Sequence, residues 1–213
     1  MTTPNTEVRR AADRGRYDRE TIDAILDEGL VAHVGLVQDG HPIVIPVAYA
    51  RDGDSVLIHG SPASRMLRTF KKGAPACVTV THLDGLVLAR SAFHHSMNYR
   101  SVVLFGEMVE VDDPDEKMAA LDRITESLVP GRSAGLRPMT EKEVKGTTVL
   151  RMAIDAASAK VRTGGPIDDE EDVELPIWAG VLPRSDAWGP PIPAEDMPDG
   201  LDVPDHVTGY GRG

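Results

Sequence analysis

Six short runs rich in β-branched residues, VAHVGLV, PIVIPVAYA, SVLIHG, ACVTVTHL, LVLARSAF and YRSVVLFGEMVEV, crowd into residues 31–111 and leave this chain few choices of fold. Three of the connections are turn sequences. Gln38-Asp39-Gly40-His41, Arg51-Asp52-Gly53-Asp54 and Leu83-Asp84-Gly85 each offer a glycine for a positive φ. Helical patterns between the runs are too few for alternating βαβ units. Strands close in sequence and joined by tight turns pair antiparallel, and closing them into a barrel removes the edges that an open sheet would expose. The expected fold is mainly β, an antiparallel, Greek-key-like barrel with flanking helices.

The helices have readable starts. Asp18 is placed to cap one whose apolar residues Ile22, Ile25, Leu26 and Leu30 recur at helical spacing, with Gly29 near its end. Ser61-Pro62 supplies a cap and a first helical residue for ASRMLRTFKKG, which should bury Met66, Leu67 and Phe70 and stop at Gly73. Asp113-Pro114 opens a third, with Met118, Leu121, Ile124 and Leu128 on one stripe. A brief helical segment from Thr140 to Lys145 precedes the strand TTVLRMAID.

A chain of 213 residues closes one good hydrophobic core, and with aromatics at only 4% that core must be aliphatic. The net charge of -11 repels polyphosphate, which argues against nucleic acid or an anionic membrane as partner. Any phosphate must therefore meet a locally basic or amide-lined pocket. Cys77 is alone, no apolar leader follows the polar N-terminus, and no run approaches the roughly 20 apolar residues of a membrane span, so a cytoplasmic protein is expected.

Three regions follow: a flexible N-terminus (1–16), the barrel (17–155) and a Pro-rich acidic extension (156–213). Eight of the sixteen prolines fall after Ala156, together with the run Asp168-Asp169-Glu170-Glu171-Asp172, read as a solvated face. The extension also carries Ile177-Trp178-Ala179-Gly180-Val181-Leu182, too apolar to stay bare, so it should wrap along the barrel or a partner subunit.

Two stretches carry chemistry. In His59-Gly60-Ser61-Pro62-Ala63-Ser64-Arg65-Met66 a strand runs through small residues into a helix start. Small residues let a ligand approach the backbone, and helix-start amides with a hydroxyl and a guanidinium suit an anion, although Ser-Pro also serves as a plain cap. In Asn98-Tyr99-Arg100-Ser101-Val102 polar residues interrupt an apolar strand, and Arg100 must meet a carboxylate, a phosphate or solvent.

The succession PIVIPVAYA, HGSPASRMLRTFKKG, CVTVTHLDGLVLARSAFHHSMNYRSVVLFGEM and DPDEKMAAL resembles the flavin-binding split-barrel proteins of the pyridoxamine 5'-phosphate oxidase superfamily, most closely the branch that contains nitroimidazole-resistance proteins. The resemblance runs from about Tyr17 to Asp155, and more loosely through 178–183. It implies a homodimer holding FMN, or FAD, at a two-fold interface. By that likeness Ser64, Arg65 and Met66 match the segment that holds the flavin phosphate, with His59, Gly60 and Ser61 leading into it. Ile45, Pro46, Val47 and Ala48 match the strand whose backbone edges the ring, and Tyr99, Arg100 and Ser101 the segment that reaches it from the far strand. Methionine stands where the oxidases use lysine, and no C-terminal Arg-x-His substrate motif is present, which speaks against vitamin oxidation. The implied activity is reduction of a small acceptor, with a nicotinamide nucleotide as donor. A flavin-sequestering protein without catalysis is the alternative, as is a haem-binding or haem-degrading split barrel.

No catalytic residue is assigned. His94 and His95 are the candidates for a haem ligand, and they read equally as a proton donor or as inert surface residues. Cys77, in an apolar strand, is a small core residue rather than a nucleophile.

Overall fold

A computed structural model describes residues 5–198 and 200–211; residues 1–4 of the N-terminal region, and 199 and 212–213 of the extension, lie outside the described residues. The elements in chain order are β1 (Gly15–Arg16), α1 (Arg19–Glu28), β2 (Val31–Gln38), β3 (His41–Asp52), β4 (Ser55–Gly60), α2 (Arg65–Phe70), β5 (Pro75–Leu88), β6 (Ser96–Glu107), β7 (Val109–Glu110), α3 (Pro114–Leu128), α4 (Glu141–Lys145), β8 (Thr148–Ala153), β9 (Ala156–Arg162), β10 (Gly180–Pro183) and α5 (Asp205–Thr208).

All pairings are antiparallel, in the order β1-β9-β6-β5-β2-β3-β4-β8-β7, with β10 on β5. The barrel closes because β6 runs on through β7. β6 pairs with β5 along its length, and the two-residue β7 that continues it pairs with β8, so β2, β3, β4, β8, β6–β7 and β5 form a ring. β3 turns the corner: residues 41–48 pair with β2 and residues 49–52 with β4. The β2–β3 turn places Asp39 and Gly40 at φ 50° and 79°, the left-handed pair that a two-residue hairpin needs, and Gly53 takes φ 56° in the next.

Strand alternation puts Ala32, Val34, Leu36, Val78, Val80, Val102, Leu104, Leu150 and Met152 inside. α1 plugs one end with Ile22, Ile25 and Leu26, and Asp18 accepts from the Thr21 N–H at 2.8 Å as its cap. Tyr49, one of the few buried aromatics, donates its hydroxyl to Leu26 O at 2.5 Å and ties that helix to β3. α3 lies outside the barrel and packs Ala120 and Ile124 on Ala50, Leu57 and Val149.

Three expectations about the bounds and faces of elements are corrected. The short helix begins at Arg65, not Pro62, because Ser61 Oγ accepts from the Ala63 N–H and Ser61 O from the Ser64 N–H in a turn, leaving Ser64 as the cap on the Leu67 N–H. Leu83-Asp84-Gly85 is a bulge within one 14-residue strand, with Leu83 opposite Tyr99 and Gly85 opposite Asn98, so Asp84 is the extra residue. On α3 the stripe is shifted, with Met118 exposed and Ala120 buried.

The first seven residues of the extension form β9, which pairs along β6. Farther on, Gly180–Pro183 adds to β5 as β10, so the apolar patch is partly covered by the chain's own sheet while Trp178 stays exposed. Asp168, in the acidic run, is not solvated: its carboxylate is buried on Arg90, accepting from the Arg90 backbone N–H at 2.8 Å and from Nη1 at 2.7 Å. No helix among the described residues is long and apolar enough to cross a membrane.

Candidate functional site

β4 ends at Gly60 and the chain turns through 61–63 into α2, which is fixed by Met66, Leu67 and Phe70 in the core. Each buried side chain of that kind contributes about 1.5–3 kcal/mol, so the turn is held on a rigid support. Ser64 presents its hydroxyl at the cap, where it accepts from the Leu67 N–H at a long 3.4 Å. Arg65 is exposed and its guanidinium has no ion pair among the described residues. The first-turn N–H groups of Arg65 and Met66 have no partner inside the helix, as at any helix start. Met66 turns its side chain into the core at 6% exposure, so only its backbone is available to a ligand.

His59 is on the outer side of β4 beside this turn, and partial desolvation holds its imidazole below the ordinary histidine value. On β3, Ile45 and Val47 pack toward the core, whereas Pro46 faces out and Ala48 is half-buried, which leaves the strand's outer surface low and open. Tyr99 and Ser101 are half-buried on the outer side of β6, and Ser101 Oγ donates to Lys160 O at 3.4 Å. Between the 45–48 and 99–101 segments stand β2 and β5, a separation of roughly 14 Å at ordinary strand spacing.

Arg100 stands apart from the others. Its guanidinium bonds both oxygens of Glu28, at 2.8 Å from Nη2 to Oε1, and reaches Asp84 at 2.8 and 3.0 Å. These bonds raise the Arg100 pKa further above its already high ordinary value. With its donors committed to two carboxylates, Arg100 joins α1, the bulge and β6, and lines a charged cleft of about 320 Å³ with His82, Arg184 and Asp186.

The outer face of the sheet carries an apolar row, Val44–Gly35–Cys77–Phe105 across β3, β2, β5 and β6, with Val37 and Val44 more than 60% exposed. A second row, Leu182–Leu86–Met97 across β10, β5 and β6, is also exposed. Surfaces of this kind mark places where something binds. Cys77 therefore sits on the outward face, half-buried, rather than in the core.

Beyond the second row lies the histidine pair, preceded by Phe93 at 90% exposure. His94 donates from Nε2 to Asp169 at 3.1 Å. His95 donates from Nδ1 to Ser91 O at 2.8 Å, which fixes its tautomer and leaves Nε2 with its lone pair outward. That is the arrangement in which a histidine serves as an iron ligand. Sequence reasoning did not separate the two, because only the fold decides which ring nitrogen is taken.

The family profile described as pyridoxamine 5'-phosphate oxidase matches residues 18–161. No curated protein matches the chain. Among solved structures, the flavocytochrome Anf3 from Azotobacter vinelandii is 41% identical with a TM-score of 0.92, over 98% of this chain and 97% of that one. An FAD- and haem-binding protein from Mycobacterium smegmatis is 43% identical with a TM-score of 0.89, over 92% and 96%. A protein described as a 5-nitroimidazole antibiotic resistance protein, from Bacteroides thetaiotaomicron, shares the fold at 22% identity and a TM-score of 0.59, over 69% and 86%. With its split barrel and two thirds of its length matched, the chain belongs to the pyridoxamine 5'-phosphate oxidase family.

Proposed function

We propose that this protein is a homodimeric redox protein that binds a flavin, FAD or FMN, and in addition a haem. The observation that carries the proposal is its likeness, above 40% identity and over nearly the full length of both partners, to two proteins that bind these groups. The residues fit the flavin: Arg65 is an unengaged guanidinium at a rigid turn, Ser64 adds a hydroxyl, and the 45–48 strand offers a low backbone edge. Haem is supported by His95, whose Nε2 faces outward behind an Nδ1–H anchored on Ser91 O, beside exposed Phe93. The apolar row through Val44 and Phe105, exposed at Val44 and half-buried at Phe105, supports pairing with a second copy, which would cover it.

On this reading Arg65 and Ser64 neutralise the phosphate, and the 45–48 backbone and the Tyr99 and Ser101 side chains border the ring. A bound flavin supplies two-electron exchange with a nicotinamide donor and one-electron exchange with a haem or a small acceptor. The protein's part is orientation, charge neutralisation and exclusion of water.

The test is the absorption spectrum of the purified protein, with mass identification of what denaturation releases. Flavin bands with a Soret band are expected. Bleaching by a nicotinamide nucleotide without oxygen, and recovery with an acceptor, would establish an oxidoreductase; chromophores that no donor reduces would make it a carrier. A colourless protein that takes up neither added flavin nor haemin overturns the proposal, and a monomer in sedimentation with flavin bound overturns the dimer.

A further inference from the structure

At the end of the strand order, β1 pairs with β9, Gly15 opposite Lys160 and Arg16 opposite Ala159. The 3-10 turn Ala12–Arg14 that leads into β1 brings Asp13 and Arg14 to the end of β9, where Arg162 stands. A cleft of about 180 Å³ opens there, lined by Asp13, Arg14, Arg16, Arg162, Thr163 and Ile167.

Arg162 is 94% buried, at 6% exposure, in a chain with 34 acidic residues, and yet it forms no ion pair among the described residues. Its acceptors are all neutral: Asn98 Oδ1 at 2.5 Å, Gly164 O at 3.3 Å and Gly165 O at 3.0 Å, while its Nε is buried without a partner. Neither Arg14 nor Arg16 has an ion pair among the described residues; Arg16 donates only to the carbonyls of Asp13 and Gly15. Burial, and then repulsion from Arg14, depress the Arg162 pKa. Several other arginines are paired: Arg51, Arg90, Arg100, Arg137 and Arg184 each meet a carboxylate. A buried cation facing two others is costly unless an anion joins them.

We infer that Arg14, Arg16 and Arg162 form a subsite for the oxyanion tail of a bound cofactor, a haem propionate or a flavin-dinucleotide phosphate. The cleft is too small for a ring system and large enough for a carboxylate or phosphate group. Three guanidiniums against the single Asp13 leave two positive charges, which match two propionates or the two charges of a dinucleotide pyrophosphate. Location adds to the case: the loop after Arg162 is pinned to the histidine segment, Asp168 on Arg90 and Asp169 on His94, and its Ile167 side chain lies 72% exposed at the mouth of the cleft. The subsite rests on the cofactor binding proposed above.

The experiment compares wild type with the Arg14→Gln/Arg16→Gln double variant, both positions lying outside the core. Haemin is titrated against haemin dimethyl ester, and FAD against FMN, with thermal melting as the control for folding. Wild type should prefer haemin to its ester or FAD to FMN, and the variant should bind the preferred form about tenfold or more weakly while its binding of the ester or FMN is unchanged. Loss of the haemin preference assigns the site to propionates, and loss of the FAD preference to phosphate. A variant that melts as wild type and keeps both preferences overturns the subsite alone, whereas a wild type that binds no haem and no flavin overturns the function as well.

Discussion

Glu28, in the last turn of α1, and Arg100, near the start of β6, stand 72 residues apart in sequence and meet at 2.8 Å, with Asp84 from the β5 bulge on the same guanidinium. The bond to Arg100 holds the Glu28 carboxyl below its ordinary value of 4.5. A carboxyl depressed in the folded state adds stability that is fully present above the unfolded value and is lost as pH falls through the folded one.

Wild type should therefore lose stability as pH falls below about 4.5, and Glu28→Gln should flatten that slope while costing about 1 kcal/mol at neutral pH, since the partly exposed pair is screened. Arg100→Met should cost more, about 2 kcal/mol, because it leaves two carboxylates facing each other. Urea denaturation of the three proteins across pH measures both effects, and parallel pH slopes for wild type and Glu28→Gln would rule the linkage out.

The bulge has its own consequence. A Cβ on Gly85 would lie 2.8 Å from Leu182 O and 3.2 Å from Pro183 Cα, backbone atoms of β10 that cannot yield by a rotamer change. Gly85→Ala should loosen β10 from β5, cost about 1–2 kcal/mol and speed amide exchange over 180–183. Gly135→Ala, where nothing lies within 4 Å, is the control. Unaltered exchange in Gly85→Ala would mean that the tail is not held at this contact.

How far the sequence carries can be judged from these same residues. Strand periodicity, the Gly40 and Gly53 turns and the Asp18 and Asp113 caps are local signals, and local physics decides them. The Asp84-Gly85 bulge looked like a hairpin turn because both use the same residue types, and only the long partner strand β6 makes one continuous strand the better solution. Arg100 could be said to need a counter-charge, but Glu28 and Asp84 are set by closure of the barrel. The Arg14–Arg162 cleft carried a faint signal, several arginines near the start of an acidic chain, with no way to tell that β1 would place them beside β9.

At α2 the two candidate groups should separate. Arg65→Gln removes a solvent-exposed charge and should weaken FMN or FAD binding by about 10- to 100-fold without moving the melting temperature of the cofactor-free protein. Ser64→Ala removes the helix cap as well and should cost about 1 kcal/mol of stability. Fluorescence titration and melting curves distinguish them. Flavin affinity that is indifferent to Arg65 would place the phosphate elsewhere.

The histidine pair gives the last prediction. An imidazole can donate its lone pair to iron only from a nitrogen that carries no proton and faces no carboxylate. His95 meets that condition at Nε2, because a carbonyl oxygen can only accept and the proton must therefore sit on Nδ1. His94 has Nε2 turned to Asp169 and is also held edge-on against Phe93, so its ring would have to leave both contacts to reach a metal. His95→Ala should abolish the Soret band of haemin-reconstituted protein and leave flavin binding intact, while His94→Ala should keep the band and shift it at most slightly. Imidazole added to His95→Ala should restore the band, since the cavity left behind would admit the free ligand. A Soret band that survives in His95→Ala and vanishes in His94→Ala would reverse the assignment, and one that survives in both would move the iron away from this segment altogether.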